Sequence, residues 1–177
     1  VDEAAAMDTR HCIFLGGGEP LVRRTLMMQM IDKMAGYQMT SWIHTNGTLF
    51  TPEMIDALMG KGVQEVIFSI DGPDAETNDA IRGGGFEKAI ANMRYFTACK
   101  KKLSLDMPGL FLNATLTNLV HDKLDRFVAL AASIGPGVKV FLSALIVEDE
   151  ETARLALSPE QKAALPELLY KGMDRAR

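Results

Sequence analysis

Short apolar segments alternate with longer amphipathic segments along this chain, which is the pattern of α/β proteins. The apolar runs are rich in β-branched and aromatic residues, as expected of strands buried on both faces. The predicted strands cover residues 12–15, 39–45, 65–70, 110–116 and 138–146. Because a helical segment follows each run, we predict parallel strand pairing through right-handed crossovers.

The amphipathic segments carry signals for helix ends. Thr51 is a predicted N-cap with Pro52 in the first turn. Ser158 and Gln161 predict a capping box. The predicted helices cover residues 21–35, 51–62, 86–102, 122–135 and a last segment from 158. Methionines lie mostly on the apolar faces of these helices and are expected to fill the core.

The length of the chain limits the architecture. It has 177 residues, which suits one domain, whereas a closed eight-fold barrel usually needs about 250. We therefore predict an α/β fold with a mostly parallel five-stranded sheet and outer helices. The sheet is expected to be open, or part of an incomplete barrel.

Composition narrows the function classes. The sequence is 47% hydrophobic with a net charge of −4 and no basic stripe, so a nucleic-acid partner is not expected. No apolar run approaches the length of a membrane span, about 18 residues, and no secretory leader is recognisable. Two cysteines suit a reduced, cytoplasmic setting. The histidines lack metal-ligand spacing, so we predict no metal ligands and disfavour zinc hydrolysis.

Glycine and polar residues follow the predicted strands, where parallel α/β folds bind ligands. GGGEP follows the first strand, HTNGT the second and SIDGP the third. Glu19 would repel a phosphate, and the glycines lack the lysine of a P-loop. A carboxylate at a strand end suits an ammonium group, to which it accepts a strong charge-assisted hydrogen bond.

Arg82 adds the opposite preference, because its guanidinium fits a carboxylate. It also precedes the third predicted helix, whose amino end favours anions. Together, Glu19 and Arg82 predict a pocket for a zwitterion, such as the amino-acid end of a larger ligand. Asp71 and Asn113 are candidates for binding hydroxyls, for example of a ribose. Other interpretations stay open: Glu19 as a helix-start carboxylate, Arg82 as a surface ion pair, and Asp71 and Asn46 as turn residues.

The motifs GGGEPL, HTNGTL, FSIDGP and IRGGGF, in this order, resemble the radical S-adenosylmethionine (SAM) superfamily over about residues 12–146. The likeness is greatest to members that modify peptides or proteins, such as anaerobic sulfatase-maturing enzymes. It implies a partial (β/α)6 TIM-like barrel, truncated at its first βα unit. Residues 1–177 would be one incomplete core domain with a helical segment at 147–177.

The resemblance also implies the residues of a SAM pocket. Glu19 and its neighbours would hold the methionine amino group, and Ser69 and Arg82 the carboxylate. The complete implied set is Gly17, Gly18, Glu19, Pro20, Ser69, Asp71, Arg82 and Asn113. Contacts with SAM or substrate are further expected from His44, Thr45 and Asn46, although His44 also suits a packed, non-functional histidine.

The sequence departs from the family at the cluster. Radical SAM enzymes hold a [4Fe–4S] cluster on a CxxxCxxC loop ahead of GGEP, and the motif does not occur here. Cys12 lies in a predicted strand and Cys99 ends a predicted helix, so neither replaces it. We expect an excerpt of a longer enzyme that is inactive alone. Its first strand would be an exposed edge, so that either the chain self-associates or residues 1–10 fold back over this edge.

The parent enzyme would cleave SAM reductively to a 5′-deoxyadenosyl radical, which abstracts hydrogen from a peptide, protein or small-molecule substrate. A non-catalytic α/β binding or scaffolding domain is the alternative. An aldolase- or epimerase-like barrel is disfavoured, because no lysine stands at the strand ends.

Overall fold

The structure is a computed structural model that describes residues 1–15 and 17–175, with side chains to Asp174. Five parallel strands form one open sheet in the order β1-β2-β3-β4-β5. The strands are β1 (His11–Phe14), β2 (Thr40–Thr45), β3 (Val63–Ser69), β4 (Gly109–Leu116) and β5 (Lys139–Ala144). The prediction of an α/β fold with a partial-barrel sheet is therefore confirmed.

Helices connect the strands. They are α1 (Asp2–Ala6), α2 (Arg24–Gly36), α3 (Pro52–Leu58), α4 (Ala75–Arg82), α5 (Phe86–Leu103), α6 (Leu124–Ile134), α7 (Glu150–Ala153) and α8 (Pro159–Arg175), and a 3-10 turn at Pro20–Arg23 precedes α2. Both predicted caps are confirmed. The Thr51 hydroxyl accepts from the Met54 N–H, and Ser158 and Gln161 form reciprocal bonds between side chain and backbone.

Helix α4 is not among the predicted helices, because the glycines that follow Arg82 are typical of a loop. The Asp74 side chain caps the helix by accepting from the Thr77 N–H at 2.8 Å. Gly83 closes it in the left-handed conformation, with φ of 79°. Arg82 is therefore the last residue of a helix and has a fixed backbone.

The chain divides into two compact units. Unit 1 comprises Val1–Ser69 and Glu87–Phe111, and unit 2 comprises Ile70–Phe86 and Leu112–Arg177. This division does not test whether residues 1–177 form a single domain, which stays a prediction.

The core of unit 1 lies against one face of β2. Ser41, Ile43 and Thr45 are buried on that face, and Thr40, Trp42 and His44 on the other face are only half-buried. An aromatic cluster of Phe50, Phe68 and Phe96 completes the core, with ring centroids 5.1 to 6.0 Å apart. Burying each ring contributes about 1.5–3 kcal/mol.

The core of unit 2 is centred on α6. Leu124, Phe127, Ala131 and Ile134 form its buried stripe, and the helix packs against β5 and α8. Their spacing follows the helical period, so burial of one apolar face explains why this segment is a helix.

The two outer strands of the sheet are β1 and β5. Along β1 the apolar side chain of Ile13 is 45% exposed, and Leu15 just beyond it is 68% exposed. β1 is thus an outer strand of the sheet, and self-association through it stays a prediction. Within the part of the chain that the structure describes, no helix combines the length and apolarity that crossing a bilayer requires.

Candidate ligand site at the strand ends

Glu19 lies after β1 in unit 1, and three groups hold its carboxylate. Oε1 accepts from the Leu21 N–H at 3.1 Å and from the Thr45 hydroxyl at 2.8 Å. Oε2 accepts from the Asn46 N–H at 2.7 Å. Glu19 also caps the 3-10 turn that begins at Pro20, so the helix-start interpretation describes part of its role. All three donors are electrically neutral, so none of them supplies a positive charge to the carboxylate.

The TNG sequence, which begins with the last residue of β2, builds this arrangement. The Asn46 side chain accepts from the N–H and hydroxyl of Thr48, as in an Asx turn. Gly47 adopts φ of +75°, and a Cβ there would lie 2.4 Å from the Phe68 ring. The Asn92 side chain donates to the Gly47 carbonyl at 2.8 Å. The turn interpretation of Asn46 therefore holds for its side chain, while its backbone N–H binds Glu19.

Gly17 and Gly18 precede this carboxylate and are both exposed. A Cβ added to either would meet no atom within 4 Å, and neither has a positive φ. Packing and backbone conformation therefore do not require glycine at these two positions. Close approach of a ligand to the backbone is a reason for glycine that remains.

Unit 2 contains a different acidic site after β3. Asp71 is 5% exposed. Its Oδ1 accepts from the Thr115 N–H at 2.7 Å, and its Oδ2 accepts from the Arg82 guanidinium at 2.5 Å. The Asp71 N–H in turn donates to the Asn78 side chain at 3.0 Å. Arg82 thus forms an ion pair, the alternative role that the sequence left open for it. The Arg82 side chain is 32% exposed.

The start of α5, where the sequence suggested an anion site, is partly occupied by a carboxylate. The Phe86 N–H donates to Asp79 Oδ1 at 3.3 Å. A bound anion would compete with Asp79 for this backbone donor. The helix start therefore supports anion binding less than its sequence position suggests.

The remaining predicted residues have individual environments. Asn113 lies on β4, and its side-chain oxygen accepts from the Ser143 hydroxyl at 2.7 Å. Ser69 ends β3 and is half-buried. Burial lowers the pKa of His44, and the nearby negative charge of Glu65 opposes this shift. His44 is therefore neutral at pH 7.

Thus the structure brings Glu19, Thr45 and Asn46 together in unit 1, and Asp71 with Arg82 in unit 2. Sequence reasoning missed Thr115, which gives no sequence signal because it contributes a backbone N–H. It also missed Asn78, which could have been found only with helix α4 recognised. Binding of SAM by the predicted residues stays a prediction.

The two cysteines lie in different elements, Cys12 on β1 and Cys99 on α5. Cys12 is half-buried, and Cys99 is buried with its thiol 3.1 Å from Asp56 Oδ1. Burial raises the pKa of Cys99, so the reactive thiolate is disfavoured. Among residues 1–15 and 17–175, no three His, Cys, Asp or Glu side chains converge as metal ligands do.

Comparison with known proteins supports a family assignment. The family model of the radical SAM superfamily matches residues 1–143. The chain is 30% identical over 141 residues to mycofactocin maturase MftC of Mycolicibacterium smegmatis, covering 79% of this chain and 34% of that protein. It is 33% identical over 138 residues to the AdoMet-dependent heme synthase of Methanosarcina barkeri, covering 76% and 37%.

A solved structure shows the same fold. Streptococcus suis SuiB bound to S-adenosylmethionine superposes with a TM-score of 0.77 at 16% identity, over 98% of this chain and 38% of SuiB. The chain spans about a third of the length of the curated relatives it matches. From the family match and these relatives, we conclude that the chain belongs to the radical SAM superfamily.

Proposed function

We propose that this chain is the SAM-binding part of a cytoplasmic radical SAM enzyme that modifies a peptide or protein. The observation that carries the proposal is the Glu19 carboxylate, held by neutral donors beside two exposed glycines that the fold does not require. This combination suits the ammonium end of a ligand whose adjacent atoms approach the backbone closely.

Charge supports an ammonium ligand at Glu19. Within residues 1–15 and 17–174, no Lys, Arg or His forms an ion pair with this carboxylate. A half-buried carboxylate without a cationic partner attracts a cation, and hydrogen bonds between two charged groups are about twice as strong as neutral ones. In the proposal, Gly17, Gly18 and Pro20 line the same site.

Arg82 and Ser69 are proposed to bind the carboxylate of SAM. Asp71 uses one nitrogen of the Arg82 guanidinium, which carries five N–H donors in all. Donors therefore remain for a second carboxylate. Asn113 and His44 are proposed neighbours of the ribose or the substrate.

The residues of this chain do not fit an iron–sulfur cluster. Such clusters are commonly held by four thiolates, or by about three when SAM completes the shell. The sequence has two cysteines, on β1 and α5. We propose that the cluster and the radical chemistry belong to a longer parent protein, and that this chain alone is inactive and binds SAM weakly.

The proposed substrate class follows from the relatives. SuiB has been solved with its precursor peptide SuiA, and an anaerobic sulfatase-maturing enzyme with a cysteine-containing peptide. The heme synthase among the relatives acts, by its name, in heme formation, so a small-molecule substrate is the second candidate.

Titration of SAM into the isotope-labelled chain, followed by heteronuclear NMR into the millimolar range, tests the proposal. We expect shifts centred on the amides of Gly17, Gly18 and Asn46. 5′-Methylthioadenosine, which lacks the amino-acid end, should leave these amides nearly unchanged. Absence of SAM-induced shifts at these amides would contradict the proposal.

A non-catalytic binding domain is the second candidate function, favoured by the two-cysteine count. Anaerobic reconstitution of the full-length natural protein with iron and sulfide separates the two. Cluster absorbance followed by SAM cleavage supports the enzyme. A protein that takes up no iron under these conditions supports the binding domain.

A further inference from the structure

We propose that Thr45 is a positioning residue, whose hydroxyl orients the Glu19 carboxylate so that Oε2 faces the ligand ammonium. The inference rests on the proposed function, because it assumes that Glu19 receives this ammonium. It assigns Thr45 an indirect role, in place of the direct contact with SAM or substrate that the sequence suggested.

The direction of the hydrogen bonds follows from the donor inventory. The Thr45 hydroxyl has one proton, and the Gly47 N–H donates to its oxygen at 2.9 Å. The carboxylate of Glu19 can only accept. The hydroxyl proton is therefore committed to Glu19 Oε1, at 2.8 Å.

The donors within residues 1–15 and 17–175 leave one acceptor position on the Glu19 carboxylate. An ionised carboxylate offers about four lone-pair sites, two on each oxygen. Among the described residues, Oε1 accepts from Leu21 and Thr45, and Oε2 accepts from Asn46 alone. The position that remains for an ammonium N–H therefore lies on Oε2, and the two bonds to Oε1 determine where it points.

Thr45 is well suited to hold this orientation. The residue is 3% exposed on the buried face of β2. Its branched side chain has few rotamers, and the Gly47 N–H fixes the hydroxyl from the other side. Gly47 in turn lies beside the Phe68 ring, and its carbonyl accepts from the Asn92 side chain. The orientation of Glu19 is thus tied to the core of unit 1.

The experiment measures affinity for SAM and for 5′-methylthioadenosine in four proteins by NMR titration. They are the wild type, Thr45→Val, Thr45→Ser and Thr40→Val. Thr45→Val removes the hydroxyl and keeps the shape, whereas Thr45→Ser keeps the hydroxyl. Thr40 lies on the same strand with its side chain on the opposite face, so Thr40→Val is the matched control.

We expect Thr45→Val to weaken SAM binding about tenfold, the effect of losing one modest interaction. Thr45→Ser and Thr40→Val should stay within about twofold of the wild type on the same scale. Affinity for 5′-methylthioadenosine should be equal in all four, because this ligand has no ammonium. A purely structural role of Thr45 would instead weaken both ligands together.

The outcomes distinguish the two proposals. A wild type that does not bind SAM rejects the proposed function. A wild type that binds SAM, with Thr45→Val binding it equally well or losing both ligands in parallel, rejects the role of Thr45 alone. If Thr45→Val does not fold, Thr45→Ala removes the same hydroxyl with less steric demand, and the same criteria apply to it.

Discussion

Two buried or half-buried carboxylates, Glu19 after β1 and Asp71 after β3, have different partners. The described donors to Glu19 in unit 1 are all neutral, whereas Asp71 in unit 2 forms an ion pair with the guanidinium of Arg82. The motif GGGEP and the motif SIDGP look equally site-like in sequence. The structure separates them: within residues 1–15 and 17–174 no cationic side chain pairs with Glu19, whereas Asp71 pairs with Arg82.

The glycines beside the two acids show the same contrast. A Cβ on Gly72 would lie 2.2 Å from the backbone nitrogen of Asn78, whereas a Cβ on Gly17 would meet open space. Gly72 is therefore required by the packing of α4, and Gly17 is not required by the fold. A glycine that the fold does not require is therefore a better candidate for contact with a ligand than a glycine that packing requires.

The largest expected effect is on Gly72. Gly72→Ala should destabilise the protein by about 3 kcal/mol, because a rigid backbone atom must move to accept the methyl group. Gly17→Ala should change stability by less than about 0.5 kcal/mol. Urea unfolding measures both. Equal stabilities of the two variants would contradict the assignment of Gly72 to packing.

Asp71 should come next. Asp71→Asn removes the charge that pairs with Arg82, and we expect a loss of about 1–2 kcal/mol, since the arginine is partly solvated. Asp122→Asn, an exposed acid of the same unit, is the matched control and should be neutral. Thermal melts of the two variants give the comparison. If Asp71→Asn is as stable as the wild type, the ion pair does not contribute to stability.

The pH dependence separates the two units. The lowered pKa of His44 in unit 1 means that the unfolded chain binds the proton more readily. The contribution of His44 to the free energy of unfolding should therefore be fully present above the ordinary histidine pKa, about 6.5, and decrease as the pH falls below it. His44→Gln should flatten this part of the profile, measured by urea unfolding at a series of pH values.

Asp74 in unit 2 titrates in a lower range. At the start of α4, the hydrogen bond that Asp74 accepts from the Thr77 N–H lowers the pKa of Asp74. Its contribution is present above the ordinary aspartate pKa, about 3.9, and is lost as the pH falls through its lowered folded pKa. Asp74→Asn should leave the His44 window unchanged. A changed profile in that window would contradict the separation.

The smallest expected effect concerns the β1 edge. No described strand pairs with its outer side, and Ile13 and Leu15 are exposed, so weak self-association is expected. Ile13→Lys should reduce the apparent mass at high concentration in light scattering. A wild type that stays monomeric at high concentration would contradict this expectation.

Sequence reasoning predicted the strands because apolar runs and intervening helices carry the βα pattern directly. It also located Glu19, since a carboxylate after a glycine run is visible in sequence. Its bond to Thr45, 26 residues away, depends on parallel pairing of β1 with β2 and was only suggested by position.

The rest of the site could not be read from sequence for physical reasons. The pairing of Asp71 with Arg82 depends on α4, and its Asp74 cap was overlooked beside the more conspicuous glycines. The Thr115 N–H that binds Asp71 is a backbone group, which every residue type except proline provides. Such contacts become visible only in three dimensions.

The affinity of Glu19→Gln for SAM, relative to the wild type, tests the central claim most directly. Glutamine keeps the size of the side chain and removes the charge, so SAM binding should weaken about 10- to 100-fold while 5′-methylthioadenosine binding is unchanged. Glu3→Gln, an exposed acid in the same unit, should bind SAM as the wild type does. Equal SAM affinity of Glu19→Gln and the wild type would contradict the claim that Glu19 receives the ligand ammonium.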